Sequence, residues 1–245
     1  MQNNRPALPS SAHFDITVSN CDADGHLKPS ALLTLMQELA ELNATGLGYG
    51  RAHLIEQGIC WVLYRLRYAF AQLPALGDKL RAGTWPSGLK GPFFERAFRF
   101  EGASGALIGE AITTWVLLDI EKRRVMRPSV LKMPAPINTE LACSLALPGA
   151  LVLEGLEAVE TRPVRYTELD MNGHMNNARY ADWALDLLRS LGEARPVRAM
   201  QINYIAEGRP HDRVALSARL GEAGALIEGR REGEARAMFE IEARY

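Results

Sequence analysis

The chain has 245 residues, of which 47% are hydrophobic and 23% charged, a composition typical of folded globular proteins. Its net charge of -1 excludes the strongly basic field with which many proteins recruit nucleic acid. No stretch approaches the roughly 18 apolar residues that would span a bilayer, and the first residues lack the apolar core of a secretory signal. Neither a nucleic-acid partner nor a membrane partner is therefore expected.

The cysteines and acidic residues give no sign of a metal or another cofactor. Cys21, Cys60 and Cys143 are odd in number and lack metal-ligand spacing, which favours free thiols in a reducing compartment, the cytoplasm. The segment 22–25 resembles the start of a calcium loop, but the twelfth position is Leu33 rather than the required Glu. We expect no cofactor and no metal site.

In chain order, the first half predicts one strand, one helix and then several strands. Residues 13–20 alternate apolar and polar side chains, and Pro29 suits the first turn of a helix that Gly46 would end. The apolar stripe of that helix comprises Leu32, Leu35, Met36, Leu39 and Leu42. The following strand candidates are residues 59–70, 78–85, 93–100 and 106–119, and residues 121–124 form a charged hairpin.

After a linker, the second half predicts the same order of elements. Residues 128–148 contain four prolines and no periodicity, which is typical of a linker across the surface. A strand at 158–166, the polar segment 169–177 and a helix follow, with Asn177 as the predicted N-cap of the helix and Gly192 near its end. The later strand candidates are residues 197–206, 213–220, 225–231 and 235–244.

The two halves also match in sequence. Asp-x-Asp-Gly-His-Leu at residues 22–27 corresponds to Asp-x-Asn-Gly-His-Met at residues 170–175, and one offset of 148 relates 22 to 170, 24 to 172 and 26 to 174. Each motif follows a strand and precedes a helix, which indicates a duplicated domain. The predicted division is an N-terminal domain at 1–133, a linker at 134–150 and a C-terminal domain at 151–245.

If one half is catalytic, a difference between the halves indicates that it is the second. In both halves a loop leads into Asp, a basic residue and an aliphatic residue, and five positions before that Asp stand Leu73 and Glu207 respectively. The second half thus has an acid where the first has a hydrophobic residue. It also has Asn172 in place of Asp24. The first half would then keep the scaffold and shape a binding pocket.

The duplicated pattern predicts an α+β fold of the tandem, or double, hotdog type. Each unit is an antiparallel sheet wrapped around one long helix, and a single unit would leave an apolar helix face exposed. Two long central helices would therefore lie side by side, wrapped by one continuous antiparallel sheet. Whether two such chains pair further into a homodimer stays open.

At these residues the chain resembles the acyl-acyl carrier protein thioesterases, and in particular bacterial relatives of the plant fatty acyl enzymes. The family pattern corresponds here to Asp170, Asn172, His174, Met175, Asn176, Asn177, Tyr180 and Trp183, followed by Tyr-x-x-Glu at residues 204–207. The likeness runs from about Phe14 to Glu242. It implies hydrolysis of the thioester of a fatty acyl-acyl carrier protein, with that carrier protein as partner.

The resemblance and the repeat together give four candidate catalytic residues. Glu207 would activate water or attack directly through an acyl anhydride, and the sequence does not separate the two. His174 could orient Glu207 or protonate the departing sulfur. Asn172 could hold a carboxylate or the thioester carbonyl, and Asp170 could fix the His174 tautomer or act as the base. No cysteine follows Cys143, which argues against a Cys–His pair.

Both halves supply candidate binding residues. Asn176 and Asn177, at the start of the helix, could form the oxyanion hole or merely cap the helix. Met36, Trp61 and Trp85 are candidates for an acyl pocket, although core packing explains them equally well. The basic clusters that could receive an acidic carrier protein are Lys122, Arg123, Arg124 and Arg127, and Arg162 with Arg165.

Two alternatives to an acyl carrier protein thioesterase stay open at this point. The first is an acyl-CoA thioesterase, since the same fold and chemistry accept either carrier. The second is a non-catalytic acyl-binding or regulatory protein that uses the double hotdog as a lipid sensor.

Overall fold

The computed structural model describes residues 10–131 and 137–245 of the chain. Within them the helices are α1 Pro29–Gly46, α2 Arg51–Ile55 and α3 Arg179–Ser190. The strands of the first half are β1 Ser10–Asp15, β2 Ile59–Phe70, β3 Lys79–Lys90, β4 Phe93–Glu101, β5 Leu107–Asp119 and β6 Arg124–Val125. Those of the second half are β7 Glu157–Pro163, β8 Ala199–Tyr204, β9 Arg213–Leu220, β10 Gly224–Arg231 and β11 Ala237–Arg244.

All eleven of these strands belong to one antiparallel sheet. Its order is β1-β3-β4-β5-β2-β8-β11-β10-β9-β7, with the short β6 paired to β5. The first half contributes β1-β3-β4-β5-β2 and the second the equivalent β7-β9-β10-β11-β8 in reverse, so the duplication is visible in the topology. The halves join where β2 pairs with β8, with Leu66 opposite Ile202. The sheet is not closed, because β1 and β7 remain as its two edges.

The two long helices lie against one face of this sheet. α1 and α3 contact each other, and both halves contribute to the same hydrophobic cluster. Fully or almost fully buried members of the cluster include Leu32, Met36 and Leu39 of α1, Trp183 and Leu187 of α3, and Leu66, Phe98, Ile202 and Phe239 of the sheet. The predicted double-hotdog fold, with two central helices wrapped by a continuous antiparallel sheet, is confirmed.

The segment between the halves crosses the other face of the sheet. There the strands present polar side chains, because successive residues of a strand point to opposite faces. The guanidinium of Arg67 donates to the carbonyl of Ala146 at 3.2 Å, and the amide of Gln201 donates to that of Gly149 at 2.7 Å. These bonds hold the described part of the segment to the sheet. Residues 132–136, and with them the predicted boundary at 133, lie outside the described residues, as do residues 1–9.

The structure ends the first strand of each half earlier than predicted. β1 ends at Asp15 and β7 ends at Pro163, because a short 3₁₀ turn follows each strand. In the first turn Asn20 Oδ1 accepts the main-chain N–H of Thr17 at 3.0 Å. In the second, Glu168 Oε2 accepts that of Arg165 at 2.7 Å. These bonds stop the extended conformation at equivalent places.

Two other elements differ from the prediction. β3 runs on to Lys90, past the predicted end at residue 85, because a β-bulge between Pro86 and Gly88 absorbs the irregularity. The five-residue helix α2 was not predicted, since it is too short to show a helical period.

No helix in residues 10–131 and 137–245 is both long and apolar enough to cross a membrane. Cys21, Cys60 and Cys143 are free thiols. The same described ranges contain no group of three or more His, Cys, Asp or Glu side chains that could hold a metal ion.

Candidate active site

The polar segment of the second half forms a tight turn built around one carboxylate. Asp170 Oδ1 accepts the main-chain N–H of Asn172 at 2.8 Å and that of His174 at 3.2 Å. Gly173, at the tip, has a φ of 75°, a left-handed conformation that glycine adopts without steric cost. We call residues 170–175 the second-half turn. Asp170 contacts the main chain of His174, and its hydrogen bonds to the described residues do not include the imidazole.

A single backbone bond fixes this turn to the chain that follows β8. The N–H of Met175 donates to the carbonyl of Gly208 at 2.8 Å, and the N–H of Gly208 donates to the hydroxyl of Tyr180 at 3.2 Å. A side chain at Gly208 would not fit, because its Cβ would lie 2.9 Å from Cβ of Met175. Burial raises the pKa of Tyr180 to about 12, so this hydroxyl stays neutral at ordinary pH.

The bond between turn and strand end brings two of the predicted residues together. His174 Nε2 lies 3.4 Å from Glu207 Oε2, and both side chains are about 30% exposed. Arg231 donates to the main-chain carbonyl of Glu207 at 2.8 Å, which holds the backbone at that point. The same carboxylate oxygen, Oε2, also accepts a hydrogen bond from the guanidinium of Arg123. An imidazole and a carboxylate from segments 33 positions apart in the chain thus meet at the surface.

Asn172 is also committed to bonds within this region. Its amide N–H₂ donates to Asp170 Oδ2 at 3.1 Å, and its Oδ1 accepts from Arg51 Nη2 at 3.0 Å. Asn172 therefore lies beside the His174–Glu207 pair without a hydrogen bond to it among the described residues. Arg51 and Arg123, both from the first half, are site neighbours that the sequence did not assign to this place.

One cysteine lies within electrostatic reach of the site. Burial raises the pKa of the Cys60 thiol, the cations of Arg123 and Arg51 lower it, and the carboxylate of Glu207 raises it. The net direction is upward, so the thiol stays protonated and is a weak nucleophile at neutral pH. Cys60 comes from the first half, so the absence of a cysteine after Cys143 does not predict its place near the site.

The start of α3 borders the turn. The predicted N-cap at Asn177 is wrong, because the side chain of Asn176 accepts the N–H of Ala178 at 2.9 Å and the helix begins at Arg179. The carbonyl of Asn177 accepts from the hydroxyl of Tyr204 at 3.1 Å. Among the described residues, the main-chain N–H of Asn177 has no acceptor. This free donor lies just before the start of α3, where the helix presents its positive dipole end.

A small apolar cavity lies beyond that helix start. It encloses about 20 Å³ and is lined mainly by the first half, with Asn177 and Ala178 at its second-half wall. The lining residues of the first half are Leu33, Met36, Gln37, Leu63, Leu66, Phe98, Thr113 and Trp115. Met36 and Asn177, two of the predicted binding residues, thus lie on one cavity.

The other two predicted aromatic residues do not line this cavity. Trp61 donates from Nε1 to the carbonyl of Tyr49 at 3.0 Å and packs edge-on against Phe94, with ring centroids 4.9 Å apart. Trp85 is fully buried and packs with Leu141 of the segment between the halves. The structure gives both tryptophans packing contacts and brings neither into the cavity with Met36.

The fold and these side chains define a double-hotdog protein. A carboxylate and an imidazole meet just after β8, one of the two strands that join the halves. The chain belongs to the acyl-ACP thioesterase family. The model of the family's N-terminal domain matches residues 10–130, and that of its C-terminal domain matches residues 156–242.

Relatives and solved structures agree with this membership. A chloroplastic acyl-[acyl-carrier-protein] hydrolase of Cuphea viscosissima is 23% identical over 90% of this chain and 61% of its own length. A chloroplastic palmitoyl-acyl carrier protein thioesterase of Arabidopsis thaliana is 23% identical over 85% of this chain and 55% of its own length. This chain therefore spans less than two thirds of either relative.

Two solved structures have the same fold along nearly the whole chain. An acyl-ACP thioesterase from Bacteroides thetaiotaomicron superposes with a TM-score of 0.82 at 23% identity and covers 96% of both chains. A 12:0-ACP thioesterase from Umbellularia californica superposes with a TM-score of 0.76 at 17% identity and covers 96% of this chain and 95% of its own.

Proposed function

We propose that this protein hydrolyses the thioester between a fatty acyl chain and acyl carrier protein, and so releases a free fatty acid. The observation that carries the proposal is the meeting of His174 and Glu207, 3.4 Å apart, at the second-half turn. Close by, the start of α3 carries a free N–H at Asn177 and borders an apolar cavity. Family membership, and the names of the relatives, favour the acyl carrier protein as carrier.

The proposed chemistry moves one proton through the two side chains. Glu207 takes a proton from water, and the hydroxide oxygen adds to the thioester carbonyl carbon. The N–H of Asn177 donates to the oxygen that becomes negative. His174 gives a proton to the sulfur as the C–S bond breaks, and the proton held by Glu207 returns to His174 through solvent, which leaves a carboxylic acid and a thiol. Direct attack by Glu207 through an acyl anhydride remains the alternative within the same geometry.

The contacts favour a supporting role for the other two predicted catalytic residues. Asp170 holds the main chain of the second-half turn, and Asn172 links that turn to Arg51. Both would set the position of His174 and would not touch the thioester. The side chain of Asn176 accepts the N–H of Ala178 just before α3, so it would hold the backbone around Asn177 rather than bind substrate.

We further propose that the first half binds the acyl chain and the second half catalyses its release. The domains would be residues 1–133 and 151–245, with 134–150 between them. The cavity is apolar but holds only about 20 Å³, room for one water-sized sphere, so an acyl chain must displace its lining. Met36 is suited to this, since its unbranched side chain adapts to new shapes. Contact of Trp61 or Trp85 with substrate stays a prediction.

The carrier protein would dock on the hairpin between β5 and β6. Of its basic cluster, Lys122 lies 4.0 Å from Asp119 and Arg123 is bonded to Glu207. Arg124 and Arg127 are exposed, and neither forms an ion pair with the described residues. Two free cations next to the site would attract an acidic carrier. Location in the cytoplasm, expected from the free cysteines, stays a prediction.

The test is a hydrolysis assay with free thiol as the readout. Acyl-acyl carrier proteins of increasing chain length and matched acyl-CoA substrates should be compared for the wild-type chain and for Glu207→Ala. We expect higher kcat/KM with the carrier protein, and a loss of about a hundredfold to ten-thousandfold in kcat for Glu207→Ala. Better turnover of acyl-CoA would change the assigned carrier, and near-normal turnover by Glu207→Ala would remove its proposed role. Tight acyl binding by a wild-type chain that gives no thiol would support the non-catalytic alternative.

A further inference from the structure

A hairpin of the first half reaches the proposed catalytic acid of the second. Arg123, between β5 and β6, donates from Nη2 to Glu207 Oε2 across 84 positions of the chain. The hairpin is held by Asp119, whose carbonyl accepts the N–H of Arg123 at 2.9 Å and whose Oδ1 accepts that of Lys122 at 2.8 Å. The guanidinium is therefore presented from a fixed loop rather than from a freely moving one.

The backbone of Arg123 is in a conformation that disfavours arginine. Its φ is 53°, in the left-handed region where glycine and asparagine are the favoured residues. An arginine at such a position gives up backbone stability that glycine would supply. The backbone conformation therefore does not explain an arginine at position 123, whereas the contact of its guanidinium with Glu207 does.

The contacts of Glu207 divide its carboxylate into two unlike oxygens. Oε2 accepts from Arg123 and lies 3.4 Å from Nε2 of His174. Oε1 has no hydrogen-bond partner among the described residues. Together with the bond from Arg231 to the main-chain carbonyl, this fixes the carboxylate by one oxygen and leaves the other available. A general base or nucleophile needs such an arrangement, because small displacements of the reacting atom cost much of the rate.

We propose that Arg123 is a positioning residue of the active site, which anchors Glu207 Oε2 so that Oε1 is held ready for water or for the thioester carbonyl. This inference rests on the proposed function, since it assigns the work to Glu207. Arg123 itself would not touch the substrate. The site would then be composite, because the second half supplies the reacting groups and the first half supplies the cation that orients one of them.

The inference is tested with three variants of Arg123 and a matched control. Arg123→Gln should lower kcat about tenfold to a hundredfold, with little change in KM, on acyl-acyl carrier protein and on acyl-pantetheine alike. Arg123→Lys should recover part of kcat, because it keeps the charge but loses the planar geometry. Arg123→Gly should lower kcat as Gln does while its melting temperature stays level or rises, since glycine suits the left-handed backbone.

The control is Arg244→Gln. Arg244 forms a similar exposed pair with Glu242, Nη2 to Oε1 at 2.9 Å, on β11, and has no place in the proposed site. We expect its kcat and KM to equal those of the wild type. A loss of kcat in the control equal to that of Arg123→Gln would show a general effect of removing surface charge.

The outcomes separate this inference from the proposed function. If the wild-type chain hydrolyses acyl thioesters and Glu207→Ala does not, then wild-type kcat in folded Arg123→Gln overturns the role of Arg123 alone. A rise in KM confined to the carrier-protein substrate would also overturn it, in favour of a docking role. If the wild-type chain releases no thiol, the proposed function itself fails, whatever Arg123 does. If Glu207→Ala turns over normally, hydrolysis stands, but Glu207 loses its proposed role and the role of Arg123 falls with it.

Discussion

The first-half turn, residues 22–27, and the second-half turn have the same internal architecture. Asp22 and Asp170 each accept, through Oδ1, the main-chain N–H groups of the residues two and four positions later. The glycines at the two tips have φ values of 81° and 75°. The local fold of the proposed site therefore also exists in the first half, where Leu73 stands in place of the acid.

The two turns are also attached to the sheet in the same way. The N–H of Leu27 donates to the carbonyl of Pro74 at 2.8 Å, as that of Met175 donates to Gly208 at 2.8 Å. Leu73 and Glu207, which precede these two acceptors, therefore occupy equivalent positions as well. This structural correspondence supports the comparison of positions 73 and 207 that was made from sequence alone.

The halves differ in what those equivalent positions carry. Leu73 packs against the hydrophobic core, whereas Glu207 faces His174 and Arg123. In the first half, Nδ1 of His26 is buried and finds no hydrogen-bond partner among the described residues. The same turn is therefore present with and without an acid placed against it, and in the proposed mechanism that acid separates the catalytic half from the other.

Substitution of the two histidines should give the largest difference in kcat between the halves. His174→Ala removes the group that faces Glu207, so kcat should fall by about a hundredfold to ten-thousandfold. His26→Ala should leave kcat within a factor of two or so of wild type, since no acid faces it. Single-turnover release of thiol measures both. Equal losses in the two variants would contradict the assignment of catalysis to the second half.

A smaller and more informative contrast concerns the two turn aspartates. Asp170→Ala and Asp22→Ala each delete a carboxylate that accepts two main-chain N–H groups, so each should lower the free energy of unfolding by about 1–2 kcal/mol. Only Asp170→Ala should also lower kcat, by roughly tenfold, because it loosens the support of His174.

Urea titrations and the thiol assay, run on the same two preparations, give both quantities. A catalytic role for Asp170 beyond support would appear as a kcat loss as large as that of His174→Ala. Matching kcat values in the two aspartate variants would show that the turn tolerates this loss without moving His174.

Much of the fold could be read from periodicity and repeats. β2 and β9 have the predicted bounds, and α1 runs from Pro29 to Gly46 as its end signals indicate. The predicted stripe of α1 was wrong at Leu42, which is exposed. The duplication predicted that the sheets join, because each unit alone would expose its helix. The ends of β1 and β7 were missed, since side-chain bonds within short turns decide them.

The sequence predicted the candidate site less completely than the fold. Glu207 could be found because the repeat supplies a reference, Leu73, against which an acid stands out. Arg123 and Arg51 could not, because their partners lie 84 and 121 positions away and only the folded chain selects them. Residue type also did not separate Met36, on the cavity, from Trp85, which packs elsewhere.

The smallest expected effect belongs to Asp24, the first-half equivalent of Asn172. Each side chain reaches the opposite half: Asp24 Oδ2 accepts from Arg189 at 3.0 Å, and Asn172 Oδ1 accepts from Arg51 at the same distance. Asp24→Ala removes an exposed ion pair, so the free energy of unfolding should fall by no more than about 1 kcal/mol. Its kcat should equal that of wild type, because the turn it belongs to faces no acid. A kcat loss of tenfold or more would make the first-half turn a second active site and would end the division between scaffold and chemistry on which the comparison depends.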